Sequence, residues 1–164
     1  MIKPLFVIDN FYKIRCLNGH RIFCIYKETD VEDLTDLIGY AVQAKSRAYC
    51  PFSNFPVGAA LLSTSGQVFT GCNIESSVYG LTMCAERVAL YKAISEGVAD
   101  FAALAIATDT QSFCPPCGAC RQVLWDFCQD IKIVLVSREK NSKIYHLTEL
   151  LPNAFDKGFL SYGD

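Results

Sequence analysis

Two short cysteine stretches constrain this chain more than any other feature: Cys84-Ala85-Glu86-Arg87 and Pro116-Cys117-Gly118-Ala119-Cys120. A Cys-x-x-Cys at the start of a helix puts both thiols on one face, because residues three apart are neighbours there. Unpaired amides and the dipole at a helix N-terminus also lower thiolate pKa values and so favour metal binding. Cys84 stands at the head of its own helical run in the same way. A fold that brings these two N-termini together presents three thiolates to one ion, a donor set suited to zinc. Three protein ligands leave one coordination position open, which separates a catalytic zinc from a structural one. Glu86, two residues past the first ligand, stands where it can handle a proton on a water in that position.

Two neighbouring residues bear on this site. Cys114-Pro115-Pro116-Cys117 is a second Cys-x-x-Cys, so Cys114 is a candidate fourth ligand or half of a redox pair. Two intervening prolines restrict the chain to extended geometry, which argues against Cys114 sharing the helical face. Three thiolates on a dication leave a net negative site and weaken the metal as a Lewis acid. Arg87 can offset this by hydrogen bonding to the thiolates from outside the ligand set; the plainer alternative is a solvated helix arginine.

The chain of 164 residues predicts one domain able to bury a core without staples. Apolar residues make up 51% and charged residues 20%, a balance compatible with apolar surface buried between subunits. A net charge of -2 offers no electrostatic footprint for a nucleic-acid polymer. Nine cysteines form an odd set. Cys16, Cys24, Cys72 and Cys128 sit in apolar surroundings, where a free thiol behaves as a small hydrophobe, and others cluster at metal-ligand spacing. This usage suits a reducing, cytoplasmic setting better than a disulfide framework. The opening apolar residues are interrupted at Asp9 and Asn10, too soon for a signal peptide, and no later run is long enough to span a membrane.

Along the chain, residues 1–30 show no strong period and read as an N-terminal extension of unknown role, with Ile22, Phe23, Cys24, Ile25 and Tyr26 as a strand-like run. Thr29 and Asp30 offer cap chemistry, and Glu32 and Asp33 suit a first turn. Val31, Leu34, Leu37, Ile38, Ala41 and Ala44 then recur at helical spacing, predicting a helix to about residue 48. Apolar runs over 57–63 and 68–74 flank Thr64-Ser65-Gly66 as a hairpin. A helix over 86–95, a strand over 101–107, a helix over 117–128, and strands over 131–136 and 144–146 follow. A helical turn over 148–151 stops at Pro152. This order predicts an α/β three-layer sandwich, a mixed central sheet with helices on both faces, occupying residues 31–164.

Cys-x-Glu followed by Pro-Cys-x-x-Cys is the motif pair of zinc-dependent nucleobase deaminases. From about Asp36 to Phe155 the chain resembles the cytidine deaminases of the small homotetrameric type. The matching stretches are Ala48-Tyr49-Cys50-Pro51-Phe52-Ser53-Asn54-Phe55-Pro56-Val57-Gly58-Ala59-Ala60-Leu61, Gly71-Cys72-Asn73-Ile74-Glu75, both metal motifs, and Glu149-Leu150-Leu151-Pro152. The resemblance implies Zn2+ on Cys84, Cys117 and Cys120, with Glu86 moving protons and Arg87 outside the ligands. It also implies that Asn73 and Glu75 hold the ribose 3'-hydroxyl, that Phe55 packs on the pyrimidine, and that Ala85 belongs to the substrate site. Phe155 matches a residue that reaches a neighbouring subunit's site, and Ser77 and Tyr79 match positions that approach the 5'-hydroxyl across the same interface. The implied reaction is hydrolysis of cytidine and deoxycytidine to uridine and deoxyuridine in pyrimidine salvage, by a homotetramer whose neighbouring subunits complete each site. Two departures stand out: residues 1–30 are extra, and Phe52 replaces a common tyrosine and so lacks its hydroxyl.

The competing readings are a structural zinc or interaction module closed by Cys114, a deaminase of a cytosine compound such as blasticidin, and a polynucleotide editor. The Asn73-x-Glu75 pair favours a plain nucleoside over blasticidin. The low charge disfavours a strand of nucleic acid.

Overall fold

The computed structural model describes residues 34–160 and, before them, the backbone of Tyr12–Lys13 (β1) and Tyr26–Lys27 (β2). Two compact units divide the chain, Met1–Leu34 and Thr35–Asp164. In the first, β1 and β2 pair antiparallel. Apart from Tyr26, the strand-like run at 22–26 lies outside the described residues, as do the cap residues Thr29 and Asp30 and the first-turn acids Glu32 and Asp33.

The second unit runs α1 (Thr35–Lys45), β3 (Val57–Ser63), β4 (Val68–Cys72), α2 (Ala85–Ser95), β5 (Phe101–Thr108), α3 (Gly118–Cys128), β6 (Lys132–Val136), β7 (Ser142–His146) and α4 (Leu147–Leu150). Its sheet has the order β4-β3-β5-β6-β7, with β5 and β6 parallel and the other neighbours antiparallel. The parallel pair needs a crossover, and α3 supplies it.

Register and two glycines fix which helix covers which face. Gly58 pairs with Cys72, and the next pair along is Ala59 with Gly71, so Gly58 and Gly71 face opposite sides of the sheet. A Cβ on Gly58 would lie 2.1 Å from the Ala41 carbonyl oxygen of α1; one on Gly71 would lie 2.4 Å from that of Ala85 in α2. The two helices therefore sit directly on the sheet, one on each face. Beneath α1 the register aligns small residues, with Gly58 opposite Ala107 and Ala60 opposite Ala105. On the α2 face Leu61, Leu104 and Ile133 line up across three strands, as do Ala59, Ile106 and Leu135. Phe69, Leu90 and Leu124 complete this larger core. Each fully buried leucine there contributes roughly 1.5–3 kcal/mol. The result is the three-layer α/β sandwich.

Boundaries differ where non-periodic hydrogen bonds take over. The first helix ends at Lys45, and three-residue turns through Ser46, Arg47 and Ala48 follow it. The second hairpin strand stops at Cys72, because Ile74 bridges to Met83 and Tyr49 instead. Strand β7 begins at Ser142, two residues before the apolar signal, since all five of its residues pair with β6. Two 3-10 turns, Tyr79–Leu81 and Lys157–Leu160, have no periodic signature in the sequence. Among the described residues, no helix is long and apolar enough to cross a membrane.

Candidate active site

Cys84 and Cys117 are the N-caps of α2 and α3, and neither side chain makes a capping hydrogen bond. Serine, threonine, aspartate or asparagine would ordinarily spend its side chain on the first-turn amides. A cysteine leaves its sulfur free to face outward from the helix end. Cys120, one turn into α3, is fully buried. The three Sγ atoms lie within 4.8 Å of one another, the one such group of possible metal ligands among the described residues. Cys84 Sγ and Cys117 Sγ are 3.9 Å apart. Tetrahedral zinc with Zn–S bonds of about 2.3 Å requires S···S separations near ~3.8 Å, so the three sulfurs fit zinc.

Cys114 stands apart from this trio. It is partly buried on the wall of the adjoining cavity, its thiol 3.9 Å from its own neighbour's carbonyl, Pro115 O. The extended Pro115-Pro116 segment carries it off the helical face, as the two prolines dictate.

The sulfurs share protons unevenly. A hydrogen bond from Cys120, reinforced by Arg87, pulls the Cys84 thiol down to about 5. The same bond, with burial, pushes Cys120 well above the ordinary thiol range. Arg87 Nη2 donates to Cys84 Sγ at 3.5 Å and to Thr82 O at 3.4 Å, while its buried Nε has no partner. Arg87 thus lies against a sulfur and is not a solvated surface arginine.

Glu86 is 5% exposed. Burial, with a further push from the Cys84 thiolate, raises its carboxyl to about 7. It opens into a cavity of ≈ 340 Å³ whose wall also includes Cys84, Ala85, Cys117, Phe55, Asn73 and Glu75. The cavity sits at the C-terminal end of β5, where Ile106 and Thr108 reach its wall.

One turn shapes the far side of this cavity. Val57 N–H donates to Asn73 Oδ1 and Asn73 Nδ2 donates to Phe55 O, both at 2.9 Å. Asn73 thereby fixes the backbone that carries Phe55. Glu75 accepts from the backbone N–H of Phe52 (2.9 Å) and Ser53 (3.2 Å) and from the Ser53 hydroxyl. The Ser53 hydroxyl, with those amides, holds the Glu75 carboxyl below its ordinary range. Each group keeps spare hydrogen-bonding capacity, and both residues line the cavity.

The remaining candidates stand elsewhere. Tyr79 is 75% exposed, its ring edge-on to Phe52 at 5.9 Å, beside a second hollow that shares Ser53, Glu75 and Thr82 with the first. Ser77 is exposed in the preceding bend. Phe155 is exposed beyond α4, stacked on Phe159, and does not line its own chain's cavity. Ser53 and Thr82 join the site without being singled out from the sequence. Ser53 binds Glu75 across 22 residues, and Thr82 accepts the Ser76 N–H; neither relation has a local signature.

The fold and much of the sequence have known counterparts. The family model described as the cytidine and deoxycytidylate deaminase zinc-binding region matches residues 31–137. A cytidine deaminase of Sporosarcina psychrophila is 47% identical over 131 residues, 79% of this chain and 96% of that protein. One from Halalkalibacterium halodurans is 51% identical over 120 residues, covering 73% and 91%. The crystal structure of cytidine deaminase from Burkholderia pseudomallei superposes with a TM-score of 0.71 at 43% identity, over 73% of this chain and 97% of that one. That from Mycobacterium tuberculosis gives 0.67 at 41% identity, over 77% and 98%. The family match runs from α1 to β6 and takes in both helix N-termini, and on it and on these relatives the chain belongs to the zinc-binding cytidine and deoxycytidylate deaminase family of hydrolytic enzymes.

Proposed function

We propose that this protein deaminates cytidine and deoxycytidine by hydrolysis, releasing ammonia and leaving uridine or deoxyuridine for pyrimidine salvage. One observation carries the reading: a buried carboxyl with its pKa near 7 lines the same cavity as Cys84 and Cys117, two of the zinc-fitting trio of thiols.

Cys84, Cys117 and Cys120 would hold the zinc. When bound, it supplies a Lewis acid that makes a water nucleophilic near neutral pH. Glu86 takes the proton from that water and delivers it to N3 of cytosine, which draws electrons away from C4. As oxygen adds at C4, Glu86 takes the remaining proton from that oxygen and carries it to the 4-amino nitrogen, and the C–N bond breaks to release ammonia. A carboxyl poised near neutral pH suits a group that must both accept and return protons. Arg87 stabilises the Cys84 thiolate. Phe55 and Ala85 pack on the base, while Asn73 and Glu75 use their spare capacity on the ribose 3'-hydroxyl. No group in this set needs a 2'-hydroxyl, so both sugars are substrates. The position of Cys114 outside the sulfur trio favours an open coordination site over a closed structural one.

Phe155, Ser77 and Tyr79 act at a neighbouring subunit's cavity in a homotetramer. The exposure of Phe155 and Tyr79, and that of Tyr49, Leu81 and Phe159, supports burial between copies. Residues 1–30 are an extension to a deaminase domain at 31–164, and the protein works in the cytoplasm.

The test is the ultraviolet change from cytosine to uracil on zinc-loaded protein, with cytidine, deoxycytidine and cytidine monophosphate compared. Turnover of both nucleosides but not the nucleotide is expected. No turnover by protein carrying one zinc per chain defeats the reading. Light scattering checks the tetramer.

A further inference from the structure

Helix α3 does two jobs in this fold. Its N-terminal end carries Cys117 and Cys120, and one side of it fastens the chain that follows α4. Arg121, in its first turn, donates from Nε to Pro116 O and from Nη1 to Leu150 O, each at 2.7 Å. Gln122 Nε2 donates to Phe155 O at 2.8 Å, and Trp125 Nε1 donates to Asp156 Oδ2 at 3.2 Å. Arg121 and Trp125 are one helical step of four apart, so these attachments share a stripe.

The two bonds of Arg121 are short and charge-assisted. Arg121 has no carboxylate partner within salt-bridge distance among the described residues. Its planar fork therefore commits to two backbone carbonyls whose relative placement it fixes. One of these belongs to Pro116, which is fully buried and immediately precedes Cys117. The peptide joining them is planar, so holding Pro116 O also orients the Cys117 nitrogen and Cα. The other carbonyl closes α4, where the chain leaves toward Phe155.

We propose that Arg121 is a positioning residue that makes metal binding at Cys117 and the seating of residues 150–156 a single coupled event. Pinning Cys117 to an ion fixes Pro116 O, which fixes the guanidinium, which holds Leu150 O. Coupling of this kind is reciprocal, so an anchored C-terminal segment tightens metal binding in return. The inference rests on the reading of Cys117 as a zinc ligand. Where Phe155 serves a neighbouring cavity, it also makes one subunit's metal a condition for completing the next subunit's site.

Trp125 is the sole tryptophan of the chain, and its indole N–H bonds to the segment in question, so its emission reports the seating directly. The full-length chain is stripped with a chelator and titrated with zinc, following Trp125 emission, with affinity measured by competition against a chromophoric chelator. Zinc should change the emission of the parent protein. In Arg121→Met, zinc affinity should fall about 10–100-fold and saturating zinc should no longer change the emission. Arg121→Lys, which can reach only one carbonyl, should fall between the two and carries the test if the methionine variant does not fold. Zinc uptake by the parent without an emission response overturns the coupling alone. So does a methionine or lysine variant with parental affinity or a parental emission response. Failure of the parent to take up zinc overturns the ligand reading together with this one. Turnover of cytidine enters neither readout.

Discussion

The guanidinium of Arg87 lies against Cys84, with Nη2 donating to Sγ at 3.5 Å, and this contact helps to hold the Cys84 thiol near 5. Metal affinity depends on thiol deprotonation, so with Cys84 as a ligand, as proposed, Arg87 would act on zinc through the proton that zinc must displace. Arg87→Met should weaken zinc about 10–100-fold. The loss should be greater near pH 6 than near pH 8, because a Cys84 thiol without the guanidinium keeps its proton to higher pH. Arg87→Lys should recover only part of the loss, having the charge without the fork. Chelator competition at the two pH values measures this, and a defect equal at both would break the link to Cys84 ionisation.

Glu86 gives a second pH dependence, of opposite sign. Its carboxyl is raised from 4.5 to about 7 by burial. In the zinc-free protein, the stability it contributes is full below pH 4.5 and is lost as pH rises to 7. A shift of this size corresponds to about 3 kcal/mol. The Cys84 thiolate contributes in the other direction as pH rises above about 5, so the comparison must be made against a variant that keeps Cys84. Glu86→Gln should gain in stability relative to the parent across that window and level off above it, as read by urea melts of stripped protein. In the zinc-loaded protein the same variant should lose about 10²–10⁴-fold in kcat while keeping its zinc. Full activity would remove Glu86 from the proton path.

Much of this was legible in the sequence because helix starts and strand alternation are local signals. Cys117 and Cys120 announce a helical face by spacing alone, and the continuous apolar run at 101–107 announces a strand covered on both sides. That Cys84 meets Cys117 could not be read from spacing, since the sheet register that stacks α2 beside α3 is set by pairs such as Leu61 with Leu104. Arg121 is less legible still. In the sequence it is an ordinary helix arginine, and its partners lie 5 and 29 residues away as bare carbonyls. Ser53 and Thr82 escaped notice for the same reason: their value comes from what the turn and the 3-10 segment bring to them.

Two glycine-to-alanine changes should move stability in opposite directions. Gly71→Ala places a Cβ 2.4 Å from Ala85 O and 2.5 Å from Ala89 N. These are backbone atoms of α2, so the helix must shift. Overpacking of this kind costs roughly 1–3 kcal/mol, and here it also displaces Cys84 and Glu86 at the helix start, so activity and zinc affinity should fall together. Gly39, in α1, has nothing within 4 Å of its notional Cβ. Gly39→Ala should therefore stabilise by roughly 0.5–1 kcal/mol through helix propensity, with activity unchanged. Denaturant melts and zinc titration of the two proteins test the contrast, and a Gly71→Ala protein with parental stability would show that α2 is not seated on this glycine.

Asn73 and Glu75 should separate a structural from a binding contribution to the sugar side of the cavity. Asn73 is 9% exposed and satisfies Val57 N–H and Phe55 O. Asn73→Ala leaves both backbone groups without their partner, which costs about 1–3 kcal/mol for a buried group and frees the turn that positions Phe55. KM for cytidine should rise and thermal stability should fall together. Glu75 is accessible to solvent, and its bonds go to Phe52, Ser53 and the Ser53 hydroxyl at the surface. Glu75→Gln keeps one accepting oxygen for those donors and removes the charge. Its melting should stay near that of the parent while KM rises, and deoxycytidine should suffer as much as cytidine because both carry the 3'-hydroxyl. Zinc content should be unchanged in both variants, since neither side chain touches a sulfur. Steady-state kinetics beside melting curves decide the matter. A Glu75→Gln protein with parental KM would take this carboxylate out of sugar binding and leave it as a clamp on the turn.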